Sequence, residues 1–263
     1  MRFAVFVLIC ASVCAACGDD TPSSPSSTTD SRATERFDDI INVRESKFPK
    51  SGRAALRELM KQLYELRKRE RPPVTGAEAL EVSKAAARLP RERFNELMEQ
   101  LLDEIKRTGR EIKKARRVML IGSDLHNTTQ ITALEALDAV VVVDEMDAGI
   151  RRAWGQVDTK LPPMEALARY YVLGRPVDKH NWNSDGRLEF IGEMAEQYKV
   201  NCIVSQIVRF CTYNGWDKFD LKKQMEKRGI PILDIDLEYG HPAGAQVKIR
   251  AEAFMEMLES RAN

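Results

Sequence analysis

The chemistry-bearing residues of this chain are few, and the cysteines lead them. Five occur in 263 residues: Cys10, Cys14 and Cys17 near the start, then Cys202 and Cys211 far downstream. This is not a disulfide framework, because the middle of the chain has none and a chain of this length needs no staples. Cys202 sits inside the apolar run "VNCIVSQI", where a thiol behaves as a small core hydrophobe. Cys211 differs, ending the run "IVSQIVRFC" just before an aromatic loop. On residue type alone it can be a packed thiol, a nucleophile or one ligand of a metal cluster, although a lone cysteine cannot hold an iron–sulfur cluster. His126, His180 and His241 are scattered, without HxxxH or HExxH spacing, which argues against a zinc site. In "IGSDLHN", Gly122 and Ser123 form a turn that leads into a helix, where backbone N–H groups can receive a phosphate or carboxylate. The same turn also reads as an ordinary strand-to-helix connection with Ser123 or Asp124 as cap. GxGxxG, GxxxxGK[ST] and GxSxG are all missing, so no nucleotide fingerprint or hydrolase elbow is present.

These residues must be positioned by the elements around them. From Thr34 to about Arg117 the pattern is helical. Leu56, Leu59, Met60, Leu63 and Leu66 recur at three- and four-residue spacing, and Pro72-Pro73 stops that helix. Thr75 with Glu78 forms a capping box for the next helix, which Pro90 ends. A third helix turns Phe94, Leu97, Met98, Leu101, Leu102 and Ile105 inward, and the charged residues of this region read as solvated helix faces. Beyond Arg117 the period changes. "RRVMLIG", "VVVVDE", "VNCIVSQI" and "ILDID" read as strands, separated by helices in "ITALEALDA", "GRLEFIGEMAEQYK" and "DLKKQMEKRG" and followed by one in "AEAFMEMLESR". The expectation is an α/β chain, a helical segment followed by a Rossmann- or flavodoxin-like parallel sheet. Ligands of such sheets bind beyond the carboxyl ends of the strands, here Gly122-Ser123-Asp124, Asp144-Glu145, Arg209-Phe210-Cys211 and Asp236-Leu237-Glu238.

The composition is 43% hydrophobic and 31% charged, enough for one or two domains with a proper core. A net charge of +1 gives no basic surface for nucleic acid. "MRFAVFVLICASVCAACGDD" resembles a signal peptide, with Cys14 to Cys17 as a loose lipobox, and "TPSSPSSTTDS" is a polar linker. Two readings follow: an exported lipoprotein with a binding role, or a leader unrelated to the rest of the chain.

Six blocks, in order, resemble the D-component family of 2-hydroxyacyl-CoA dehydratases, which includes subunits of benzoyl-CoA reductase. They are "LYELRKRERPPVTGAEAL", "RRVMLIGSDLHN", "AVVVVDEMDAGIRRAW", "RLEFIGEMAEQYKVNCIVSQIVRFC", "KKQMEKRGIPILDIDLEYG" and "GAQVKIRAEAFMEML". The resemblance runs from about Thr34 to the C-terminus and divides the chain into a leader and linker (1–33), a helical middle region (34–116) and a C-terminal α/β domain (117–263).

The resemblance implies an acyl-CoA enzyme of the lyase or oxidoreductase class. It would work with a second homologous subunit and an ATP-dependent activator iron–sulfur protein, through a ketyl radical on a thioester. It also implies a [4Fe–4S] cluster held by three cysteines, with Cys211 as the C-terminal ligand. Gly122, Ser123 and the loop Asp236, Glu238, Tyr239 and Gly240 would line the acyl-CoA side. Gln246 and Arg250 match the family's closing Gln and Arg. The other two cluster cysteines belong to a family N-terminal domain that the sequence almost wholly lacks, and Cys10, Cys14 and Cys17 have no matching context. The expectation is therefore a truncated, cytoplasmic subunit with an incomplete ligand set, with a cluster-free, non-catalytic relative as the alternative.

Overall fold

The computed structural model describes residues 52–123, 125, 127–146, 148–174, 184–212, 215, 218–238 and 244–262. Three helices come first: α1 (Gly52–Leu66), α2 (Gly76–Arg88) and α3 (Arg91–Thr108). The apolar stripe of α1 is buried at Leu56, Leu59, Met60 and Leu63, and that of α3 at Phe94 through Ile105, as the periodicity predicts. Thr75 caps α2. Its hydroxyl accepts from the Glu78 N–H at 3.1 Å while the Glu78 carboxylate accepts from the Thr75 N–H at 2.9 Å.

Then strands and helices alternate: β1 (Arg116–Gly122), α4 (Thr129–Glu135), β2 (Ala139–Glu145), a 3-10 turn (Ile150–Arg152), α5 (Pro163–Arg169), a π-helical turn (Tyr170–Gly174), α6 (Ser184–Gln197), β3 (Cys202–Val208), α7 (Lys218–Lys227), β4 (Ile232–Leu237) and α8 (Gly244–Ala262). The four strands form one parallel sheet in the order β2-β1-β3-β4, so the α/β expectation holds. A bulge between Val118 and Met119 shifts the β1–β2 register.

Both faces are covered, as a parallel sheet of near-continuous apolar strands requires. Met119, Ile121, Val140, Val142 and Ile203 face a core shared with α1, α3, α6 and α7. Val118, Leu120, Val141, Cys202, Val204 and Ile235 face α4 and α8. The connection β1-α4-β2 runs outward one way, and the connections through α6 and α7 run the other way on the opposite face. The strand order thus reverses between β1 and β3. No described helix is long and apolar enough to cross a membrane.

One expectation about the helical segment needs correction. Arg67, read from sequence as part of a solvated face, is 1% exposed. The last turn of α1 crosses edge strand β2, and the Arg67 Nη2 donates to the Val141 carbonyl at 2.8 Å. The Glu135 carboxylate accepts from the Val141 N–H at 3.2 Å and from the Gly76 and Ala77 N–H groups that open α2, at 2.6 and 3.3 Å. The outward N–H and C=O of Val141 are thus satisfied by side chains, and α2 is anchored to the edge that they close. Arg117 does similar work at the amino end of β1. Its guanidinium donates to the carbonyls of Tyr198, Arg69 and Arg67 at 2.7, 2.7 and 2.9 Å, tying the segment after α1 to the end of α6.

Candidate functional site

The reversal between β1 and β3 opens the crevice where sheets of this kind place ligands. Gly122 ends β1 with φ +113°, and a Cβ there would lie 1.9 Å from the Gln206 carbonyl oxygen. Glycine is required at this position because the two strands meet backbone to backbone. The Ser123 N–H donates to that same carbonyl at 2.9 Å. The Ser123 hydroxyl accepts from the Val208 N–H at 3.1 Å, and the Gln206 amide donates to the Ser123 carbonyl at 2.8 Å. Ser123 is therefore a stitch between the strands, buried and spent on protein partners. Helix α4 starts only at Thr129, and Asp124 and His126 lie outside the described residues.

Beyond β3 the chain turns sharply. The Cys211 N–H donates to the Val208 carbonyl at 3.0 Å, which sets the cysteine in the turn directly beyond the strand. Cys211 is half-buried. Phe210 before it has φ 66°, in the left-handed region that bulky residues avoid, and is 100% exposed. Arg209 pairs with Glu238 at 2.5 Å across the carboxyl ends of β3 and β4. Cys202 stands at the other end of the same strand, fully buried, with its thiol pushed up to about 12 by burial. The two thiols therefore differ in accessibility.

Of the residues expected at a site, the structure gathers Gly122, Ser123 and Cys211 at the crevice and Glu238 at its β4 side. Asp236 is exposed, 4.0 Å from the Lys218 Nζ, which also approaches Asp234 at 3.7 Å. Arg250 is exposed on α8, one turn beyond Gln246. Tyr239, Gly240, His180, His241, Cys10, Cys14, Cys17 and the Gln246 side chain lie outside the described residues.

Sequence reasoning missed two features. Gln206 organises the crevice, and a glutamine in an apolar strand flanked by buried residues was its available signal. The second is a set of buried charges at the end of β2. Glu145 is clamped between Arg151 and Arg187, all three at most 3% exposed, with the Arg187 contact at 3.0 Å. Beside it the Asp144 carboxylate accepts from the Tyr64 hydroxyl at 2.7 Å and the Ile150 N–H at 3.1 Å, with the Arg67 Nη1 at 3.6 Å. A Cβ on Gly149 would fall 1.4 Å from Asp144 Oδ1, so that turn closes directly onto the carboxylate. Burial pushes the Asp144 carboxyl up, against the opposing pull of Arg67 and its hydrogen bonds. These charges are absorbed by one another and fix the loop after β2.

No cluster of three or more His, Cys, Asp or Glu side chains able to hold a metal is present among the described residues. The described part of the crevice carries one thiol, that of Cys211.

Comparison with known proteins places this arrangement. The chain is 25% identical over 177 residues to the (R)-phenyllactyl-CoA dehydratase beta subunit of Clostridium sporogenes, covering 67% of this chain and 47% of that one. It is 23% identical over 210 residues to the putative dehydratase subunit YjiM of Escherichia coli (strain K12), covering 77% and 54%. It is 23% identical over 178 residues to the lactoyl-CoA dehydratase subunit beta of Anaerotignum propionicum, covering 67% and 48%. The chain thus spans about half the length of the curated relatives it matches. The profile of "2-hydroxyglutaryl-CoA dehydratase, D-component" matches residues 34–258, nearly the whole chain after the linker, and the chain belongs to that family.

Proposed function

We propose that this chain is part of a subunit of a 2-hydroxyacyl-CoA dehydratase. It would act with a second, homologous subunit to remove water from a 2-hydroxyacyl thioester, in the cytoplasm. The observation that carries this reading is the place of Cys211, half-buried in the turn directly beyond β3 and beside the reversal of strand order. Family membership supports the substrate class, since two of its relatives are named as dehydratases of phenyllactyl-CoA and lactoyl-CoA.

The donor set does not complete the [4Fe–4S] cluster that the resemblance implies. The described residues hold two cysteines, and Cys202 is sealed in the sheet by its burial and its raised thiol. Such a cluster needs several thiolates in a supported geometry. We therefore propose that Cys211 supplies one ligand to such a cluster. What the residues themselves do is to hold the crevice. Gly122 and Ser123 keep the carboxyl ends of β1 and β3 in close contact, and the Arg209–Glu238 pair ties the turn that carries Cys211 to β4.

The test is a turnover assay on the chain isolated anaerobically with the proteins that accompany it, supplied with ATP, a reductant and phenyllactyl-, lactoyl- and 2-hydroxyglutaryl-CoA. Appearance of the corresponding enoyl-CoA is expected for at least one thioester. A complex that binds these thioesters, carries no iron and converts none would instead support a non-catalytic relative.

A further inference from the structure

A cavity of about 360 Å³ lies apart from the crevice, between α1, the end of α6 and the loop after the 3-10 turn. None of Gly122, Ser123 or Cys211 lines it. Its walls are aromatic, from Tyr64, Tyr198 and the half-buried Trp154. Trp154 is held in advance of any ligand. Its ring meets Phe190 edge-on, centroids 4.8 Å apart, and its carbonyl accepts from the Tyr170 hydroxyl at 2.9 Å.

The α1 side is cationic. Arg57, Lys61 and Lys68 line the cavity, the first two one turn apart on α1 and Lys68 in the turn just beyond its end. Arg57 already lies over the Tyr170 ring at 4.6 Å, and Lys68 pairs with Glu65 at 2.7 Å and reaches Gln197 at 3.2 Å. Lys61 is exposed and makes no ion pair among the described residues. Glu58 and Glu65 also line the cavity and offset two of the three cations, leaving a net single positive charge to meet a phosphate. Behind Tyr64 stands Arg67, its guanidinium carbon 4.8 Å from the ring and its charge met by Asp144 at 3.6 Å.

We propose that this cavity binds the nucleotide end of a coenzyme A ester, with the heteroaromatic ring against Trp154 and the tyrosines and a phosphate at Lys61. The inference rests on the acyl-CoA reading above and adds a second contact region for the same substrate. The volume falls near the lower end of ligand sites, about 300–1,000 Å³, which suits a ring with its sugar phosphate but not a whole acyl-CoA. A free nucleotide presents the same chemistry, so the probes must separate the two sources.

The experiment titrates the purified full chain with adenosine 3′,5′-bisphosphate, ADP and inorganic phosphate, by calorimetry. Saturable binding of the bisphosphate is expected, tighter than that of ADP, and weakened roughly tenfold in Lys61→Glu, the loss of one charge-assisted contact. Lys61 is exposed and has no ion-pair partner among the described residues, so this variant removes no described contact, and Trp154→Leu serves as the second probe of the ring contact. Equal binding of ADP would overturn the coenzyme A assignment, and equal competition by phosphate alone would overturn the ring contact. An absence of saturable binding would overturn the site. The two readings also fail separately. Dehydration with an unchanged KM for acyl-CoA in Lys61→Glu removes the cavity's role, whereas bisphosphate binding in an assembled complex without dehydration removes the dehydratase reading.

Discussion

At Gly122 an added methyl group meets a carbonyl oxygen in the neighbouring strand, and φ is already +113°. Gly122→Ala should therefore destabilise the chain by more than about 3 kcal/mol in urea unfolding, since neither backbone can move without breaking the sheet. The two described cysteines make a second residue-scale prediction. Iodoacetamide at neutral pH, followed by peptide mass mapping, should label Cys211 and spare Cys202, and labelling of Cys202 should require unfolding. The sign at high pH follows from the raised folded thiol. The stability that Cys202 contributes is fully present below its unfolded value of 9.0 and is lost as pH rises toward about 12. In Cys202→Ala the alkaline decline should be shallower by up to about 1.4 kcal/mol per pH unit. Cys202 was legible in the sequence because an apolar run on both sides announces a core position. Cys211 was not decided by its neighbours, because a strand's carboxyl end is equally a packing position and a ligand position.

Among elements, the edge strand β2 is the one whose stability depends on side chains from elsewhere. Glu135 accepts from three backbone N–H groups, two of which open α2. Glu135→Ala should cost about 1–3 kcal/mol in thermal or urea unfolding, because those donors lose their acceptor in a part-buried setting. Arg117→Lys should cost about 2 kcal/mol, since an ammonium cannot reach three carbonyls set for a planar fork. If either variant unfolds like the parent protein, the anchoring described for that residue is wrong. The helices and strands themselves were legible: the stripe of α1, the capping box at Thr75, the proline stops and the run of valines in β2 each state their element. The buried charges were not. "LRKRERPP" reads as a solvated face because charge patterning carries no information on which residue the fold will cover, and Arg67 is covered; Arg151 and Arg187, in stretches with no burial signal, are covered as well.

For the whole molecule, the family match covers residues 34–258, while the chain spans only about half of each curated relative it matches. The crevice rim also carries Phe210, fully exposed in a left-handed backbone, and Phe219 on α7 is 75% exposed. Iron in the assembled complex decides whether Cys211 is a cluster ligand. The complex should be isolated anaerobically from the cells that make it, in wild-type and Cys211→Ser forms, and its iron and acid-labile sulfide measured beside the yield of the partner subunit. The account predicts about four irons per cluster in the wild type and loss of that iron in Cys211→Ser, with the partner retained. Full iron content in Cys211→Ser would contradict it.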